Sequence, residues 1–311
     1  MSSHYALSGQ LRLAYETFGN AQHPAVILVM GLGAQMIAWP EAFCEGLAQR
    51  GYYVIRFDNR DIGQSDKLHH LRPPGLLSNI LRHQLGLRIK TAYTLSDMAR
   101  DVIGLMDWLK LKKAHLVGAS MGGMISQIVA TRFYGRVISL TSIMSAPEVP
   151  IPRRLPFLLP WQGPRKKHCP HADIQRRVNA LTRLSGTALK TSPQLLTERL
   201  QRALARSDDD HAGTLRQTAA IMGTGSRHAE LREIRVPTLI IHGGDDALIP
   251  KSYGIKTAQC IRQSQIELIS GMGHDLPPAI LNRLVSRISE HMDTAHSFRT
   301  KKRGVTRPFL F

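Results

Sequence analysis

Three residues in this 311-residue chain have the types and order needed for nucleophilic chemistry: Ser120, then an aspartate at 245 or 246, then His274. A serine hydroxyl attacks a carbonyl carbon only when a neighbouring base removes its proton and a third group orients that base. Ser120 stands in "LVGASMGG" (116–123), where Gly118-x-Ser120-x-Gly122 has the spacing of a tight strand-to-helix turn that lifts the serine out of the sheet. At ordinary glycine and serine frequencies, that five-residue pattern arises by chance in roughly one chain in ten of this length. The pattern therefore needs support from its surroundings.

The surroundings supply it. "AHLVG" (114–118) is a short apolar run, the mark of a strand buried on both faces. "MGGMISQIVATRF" (121–133) reads as the helix that follows. The N–H of Met121, first in that helix, faces the point where an oxyanion would form beside Ser120. A second donor is expected from the glycine-rich loop after "AVILVM" (25–30), where the N–H of Leu32 in "VMGLGAQ" is suitably positioned. "PTLIIHG" (237–243) is followed by Asp245 and Asp246, one of which serves as a turn or capping residue. His274 lies in "SGMGHDLP", between the last predicted strand, "QIELI" (265–269), and a last helix from about Pro278 to Met292.

The elements that must hold these residues follow a βα rhythm. "YYVIRF" (52–57) and "VISLTSIM" (137–144) add two more continuous apolar runs. Helical patterns at 39–51 and 94–111 lie between them, the second opening on Thr94 or Ser96 as its cap. Such alternation predicts βαβ units and a mostly parallel central sheet flanked by helices. The rhythm breaks from about Ala146 to His228. Seven prolines crowd its beginning and arginine-rich helical patterns follow, which predicts an inserted helical lid (146–228) on a core of 1–145 and 229–311.

These motifs together resemble the α/β-hydrolase superfamily. The family's Gly-x-x-Asp-x-[LIV]-[IV]-Pro acid motif matches Gly243 to Pro250, so the resemblance puts the acid on Asp246. Its Gly-x-Gly-His motif matches Gly271 to His274, and its oxyanion loop matches Met30-Gly31-Leu32-Gly33, with methionine in place of the usual histidine. The Asp-x-Arg-Gly-x-Gly-x-Ser stretch of many members is "DNRDIGQSD" (58–66), with Asp61 replacing the first glycine. Met30, "RFDNRD" and "GASMGG" resemble most the aclacinomycin methylesterase-like branch. The resemblance implies a serine hydrolase acting on a carboxylic ester through an acyl-enzyme on Ser120, with no metal or organic cofactor. Lactones, thioesters, C–C bonds and perhydrolysis are alternatives on the same three residues. A binding protein without turnover is the other class, but such relatives have usually lost part of the triad.

Composition bounds the rest. No run approaches 18 consecutive apolar residues, and the N-terminus has no basic head before a long apolar stretch, so neither a membrane span nor a signal peptide is expected. The three cysteines, Cys44, Cys169 and Cys260, are odd in number and scattered, which argues against a disulfide framework and for the cytoplasm. Cys169 sits between His168 and His171, but no second cluster at finger spacing accompanies it, so no structural metal is expected. A net charge of +18 favours anionic partners. Twelve basic residues lie between Arg153 and Arg206 against Asp173 and Glu198, and a second basic group closes the chain in "FRTKKRGVTRPF". The lid segment has no aromatic interleaving for base stacking, so nucleic acid is not expected. Weak association of the basic lid and tail with an anionic surface is.

Overall fold

The computed structural model describes residues 3–149, 170–207 and 211–304, the last eight of these and residues 170–173 by backbone alone. Eight strands form one sheet in the order β1-β2-β4-β3-β5-β6-β7-β8. They are β1 (His4–Ser8), β2 (Leu11–Phe18), β3 (Ala25–Val29), β4 (Tyr53–Phe57), β5 (Ala114–Ala119), β6 (Val137–Ile143), β7 (Thr238–Gly243) and β8 (Ser264–Ile269). The first two run antiparallel to their neighbours and every other pairing is parallel.

All side chains of β3, β5, β6 and β7 are buried, because helices cover both faces of the sheet. Successive residues of β3 divide between the two layers. Ile27 and Val29 pack with α3 (Leu95–Trp108) and α4 (Met121–Arg132), while Val26 and Leu28 pack with α1 (Glu41–Gln49) and α10 (Leu281–Gly304). Thr94, not Ser96, caps α3: its hydroxyl accepts from the Asp97 N–H while the Asp97 carboxylate accepts from the Thr94 N–H. The edge departs from the expected buried pattern. In β8 only Ile269 is fully buried, as suits a strand with one free side. The final helix extends well past Met292, to Gly304.

Between β6 and β7 lie α5 (Pro170–Leu184), α6 (Pro193–Arg206), α7 (His211–Thr224) and α8 (His228–Arg232). The two ends of this insertion meet: Arg227 N–H donates to the Pro147 carbonyl at 2.8 Å, and its guanidinium donates to that of Ala146. Two further helices, α2 (Leu76–Gln84) and α9 (Lys251–Cys260), complete the fold. Among the described residues no helix is long and apolar enough to cross a membrane.

Candidate active site

Ser120 sits between β5 and α4 with φ 54° and ψ −120°, a conformation a non-glycine residue adopts only under constraint. The constraint is visible. Ser120 N–H donates to the Ile143 carbonyl at 2.9 Å, and the Ser120 carbonyl accepts from the Ser145 hydroxyl at 2.8 Å. The flanking glycines are there for space. A β-carbon on Gly118 would lie 2.3 Å from the Gly122 carbonyl oxygen, and one on Gly122 would lie 2.0 Å from that of Val29. No side chain larger than hydrogen fits either position without moving the sheet.

His274 brings the serine to the acid. Its Nε2 lies 3.0 Å from Ser120 Oγ and its Nδ1 lies 2.7 Å from Asp246 Oδ2. An ionised carboxylate accepts, so Nδ1 carries the proton and Nε2 offers its lone pair to the serine hydroxyl. The carboxylate is fixed from behind by the N–H groups of Leu248 (3.0 Å) and Ile249 (2.7 Å) on Oδ1. His242 stands beside it, with Nε2 2.8 Å from the Ile249 carbonyl and 3.5 Å from Asp246 Oδ2. Burial works against the Asp246 charge, but His274 and His242 outweigh it and hold the carboxyl well below its ordinary range. Asp245 points elsewhere, accepting from the hydroxyl and N–H of Thr187 in the insertion.

The loop carrying Leu32 comes close to the serine: a β-carbon on Gly31 would be 3.1 Å from Ser120 Cβ. Asn59 Nδ2 donates to the Met30 carbonyl at 2.9 Å, and Gly33 N–H donates to Gln217 Oε1 at 3.0 Å. The N–H of Leu32, between these anchors, and that of Met121, at the first position of α4 where helical N–H groups lack intrahelical acceptors, both belong to the backbone around Ser120.

The insertion supplies much of the support that sequence reasoning did not find. Leu184 accepts from the His274 N–H at 2.7 Å, and Ser185 and Thr191 each donate to Asp275 Oδ2 at 2.8 Å. Arg206 Nη1 reaches Asp58 Oδ2 at 2.6 Å, and Asp58 Oδ1 accepts from the Met36 N–H at 2.7 Å. Burial nevertheless keeps the Asp58 carboxyl above its ordinary value. Asp61 holds φ 71°, the left-handed region that makes glycine common there in the family pattern. Its carboxylate is fixed by Arg216 at 2.9 and 2.7 Å, by the Tyr93 hydroxyl at 2.7 Å and by the Leu68 N–H at 2.7 Å. Burial opposes that charge too, but these partners prevail and hold the carboxyl below its ordinary range. Arg206, Arg216, Ser185 and Thr191 lie 84 to 155 positions from the carboxylates they meet, which is why no local pattern announced them.

A cavity of about 620 Å³ opens on this chain of groups, lined by Leu32, Ser120 and His274 from the core and by Leu181, Leu196 and Leu200 from the insertion. That size suits a small or medium organic molecule. No group of three or more His, Cys, Asp or Glu able to hold a metal occurs among the described residues. His168 and Cys169 lie outside the described residues, as do the basic residues from Arg153 to Lys167.

Comparison with known proteins agrees with this architecture. The chain is 26% identical to a rhodomycin D methylesterase of Streptomyces sp. (strain C5), over 92% of its own length and 96% of that protein. It is 25% identical to the rhodomycin D methylesterase of Streptomyces peucetius, over 95% and 99% respectively. A meta-cleavage product hydrolase from Pseudomonas fluorescens has the same fold, with a TM-score of 0.74 at 20% identity, covering 94% of this chain and 98% of that one. The family profile described as the alpha/beta hydrolase fold matches residues 24–277, and the chain belongs to that family.

Proposed function

We propose that the protein is a serine hydrolase that cleaves a carboxylic ester of a small or medium substrate through an acyl-enzyme on Ser120. The observation that carries this reading is the hydrogen-bonded chain from Ser120 Oγ through His274 to the buried Asp246, open to an apolar cavity. Similarity to two methylesterases supports the ester as the bond broken.

In this reading His274 Nε2 takes the hydroxyl proton as Ser120 Oγ bonds to the ester carbonyl carbon. The carbonyl oxygen becomes an oxyanion and accepts hydrogen bonds from the N–H groups of Leu32 and Met121. Collapse of the tetrahedral species breaks the bond to the alkoxy oxygen, which leaves as an alcohol with the proton from His274. Water then attacks the acyl-enzyme, giving its proton to His274, and the second collapse returns that proton to Ser120 and releases the acid. Asp246 remains ionised throughout and stabilises the imidazolium. Neither a metal nor an organic cofactor enters these steps.

The division into a core of 1–145 and 229–311 and a lid of 146–228 belongs to the same proposal. The lid then closes the cavity over the substrate and selects it, while the core performs the bond exchange. A fluorophosphonate probe tests the nucleophile. Labelling of the wild type, with the adduct located on Ser120 by peptide mass and absent from Ser120→Ala, is expected. An unlabelled wild type, or equal labelling of the variant, overturns the reading.

A further inference from the structure

The helix α2 and the turn after it expose an unusual amount of apolar surface. Leu77 is 75% exposed, Leu81 56%, Leu85 62% and Leu87 50%. Eleven large apolar side chains are exposed among the described residues, and four of them fall within this one eleven-residue stretch. Leu77, Leu81 and Leu85 are spaced at i, i+4 and i+8, so they form a single stripe along the outer face. Isolated exposed leucines need no explanation, but a contiguous stripe marks a contact surface.

The stripe is held in place. The side chain of the buried Asn79 brackets the returning chain, donating to the Lys90 carbonyl at 2.8 Å and accepting from its N–H at 3.0 Å. Leu87 N–H closes the turn onto the Arg82 carbonyl at 2.8 Å, and Arg82 Nε donates to the Arg88 carbonyl at 2.6 Å. The inner face of α2 packs on α7. The leucines therefore face outward because a fixed scaffold turns them there.

The charge around the stripe names its partner. From Lys67 to Ser96, thirty residues contain no aspartate or glutamate, while Lys67, Arg72, Arg82, Arg88 and Lys90 are all basic. Arg72, Arg88 and Lys90 are exposed beside the leucines. A second copy docking through this face would set two basic segments, each without an acid from Lys67 to Ser96, against each other. An anionic bilayer offers apolar depth for the leucines and opposite charge for the flanking cations. We infer that α2 is an interfacial anchor that lays Leu77, Leu81 and Leu85 into the surface of an anionic lipid membrane, with Arg72, Arg88 and Lys90 on the headgroups. The contact thus falls on α2 rather than on the basic insertion or tail, and it is independent of the ester-cleaving reading.

The test is flotation of the full-length protein with vesicles of phosphatidylglycerol and phosphatidylcholine, against phosphatidylcholine alone. The expected result is binding to the mixed vesicles that weakens as salt is raised. The triple variant Leu77→Ser, Leu81→Ser, Leu85→Ser should reduce that binding by about tenfold or more with an unchanged melting temperature, because the residues are at the surface. Arg88→Glu with Lys90→Glu should weaken it and make what remains less sensitive to salt. Failure of the wild type to bind mixed vesicles at low salt overturns the inference. So does a triple variant that binds like the wild type, since the attraction would then lie elsewhere on the basic chain. Light scattering that finds a wild-type dimer and a monomeric triple variant would assign the stripe to a second copy and also overturn it.

Discussion

The two walls of the cavity are held by different means. Ser120 and Asp246 stand at the ends of β5 and β7, and their positions are set by backbone: sheet hydrogen bonds, two glycines without room for a side chain, and the N–H groups of Leu248 and Ile249. The facing wall belongs to the insertion and reaches the core mainly through side chains, with Arg216 on Asp61, Arg206 on Asp58, Gln217 on Gly33, and Ser185 and Thr191 on Asp275. The groups proposed to react are thus attached to the sheet, whereas the opposite lining of the cavity sits on a part attached mainly by side chains. Changes to the Ser120, Asp246 and His274 side chains should remove activity without unfolding the protein. Changes in the second wall should unfold or loosen it before they touch the chemistry.

The largest effect tests the first wall. Ser120→Ala should lower kcat on a chromogenic ester by at least about 10⁴-fold with the melting temperature unchanged. Next, Asp246→Asn should lower kcat by about 10⁴-fold by leaving His274 in the wrong tautomer, whereas Asp245→Asn should stay within a few-fold. Equal losses from the two would erase the distinction that the geometry draws between them.

On the second wall, Arg216→Met leaves the Asp61 carboxylate buried without its cation, which should destabilise the protein by about 3–5 kcal/mol in urea titration. The double variant Arg216→Met, Asp61→Asn should recover most of that loss. The pair also sets a pH dependence. The Asp61 carboxyl lies below its unfolded value of 3.8, so its stabilising contribution is complete above that value and is lost as pH falls through the lower, folded value. Melting temperature measured from pH 7 down to pH 3 should therefore fall less steeply in the double variant than in the wild type. The smallest effect lies far from both walls: Thr94→Ala removes half of a capping box and should cost about 1 kcal/mol with no change in kcat.

The parts legible in the sequence are those whose physics repeats. Strands β3 to β7 are continuous apolar runs because both faces are covered, and each was readable within a residue or two. The antiparallel strands β1 and β2 carry no such signal, since β1 exposes His4 and Tyr5 at its start and neither forms an apolar run. In helix α2 the exposed leucines fall four apart, but its nine residues, between Gly75 and Gly86, are too few for that period to tell a buried stripe from an exposed one. At the site, Ser120, Asp246 and His274 were marked by glycine-rich turns that the backbone needs at those points. Asn59, Arg206 and Gln217 were not, since each acts through a partner distant in sequence, and His242 reads as one more residue of the buried run of β7. Asp61 was visible only as a departure from a glycine pattern, and its reason is the Arg216 that faces it across 155 positions.

The joined ends of the insertion have a consequence for how such an enzyme can change. Because Arg227 ties back to Ala146 and Pro147, the chain leaves the sheet and returns to it at nearly one point. Everything between can be lengthened, shortened or exchanged for another polypeptide while the sheet keeps its register, much as a tool head is changed on a fixed shaft. The exchange has one condition. A transplanted segment must bring its own acceptor for the Gly33 N–H and its own cations for Asp58 and Asp61, or the loop beside the nucleophile loses its footing. Chimeras built to redirect specificity should therefore cut outside Ala146 and Arg227 and carry Arg206, Arg216 and Gln217 across as a set.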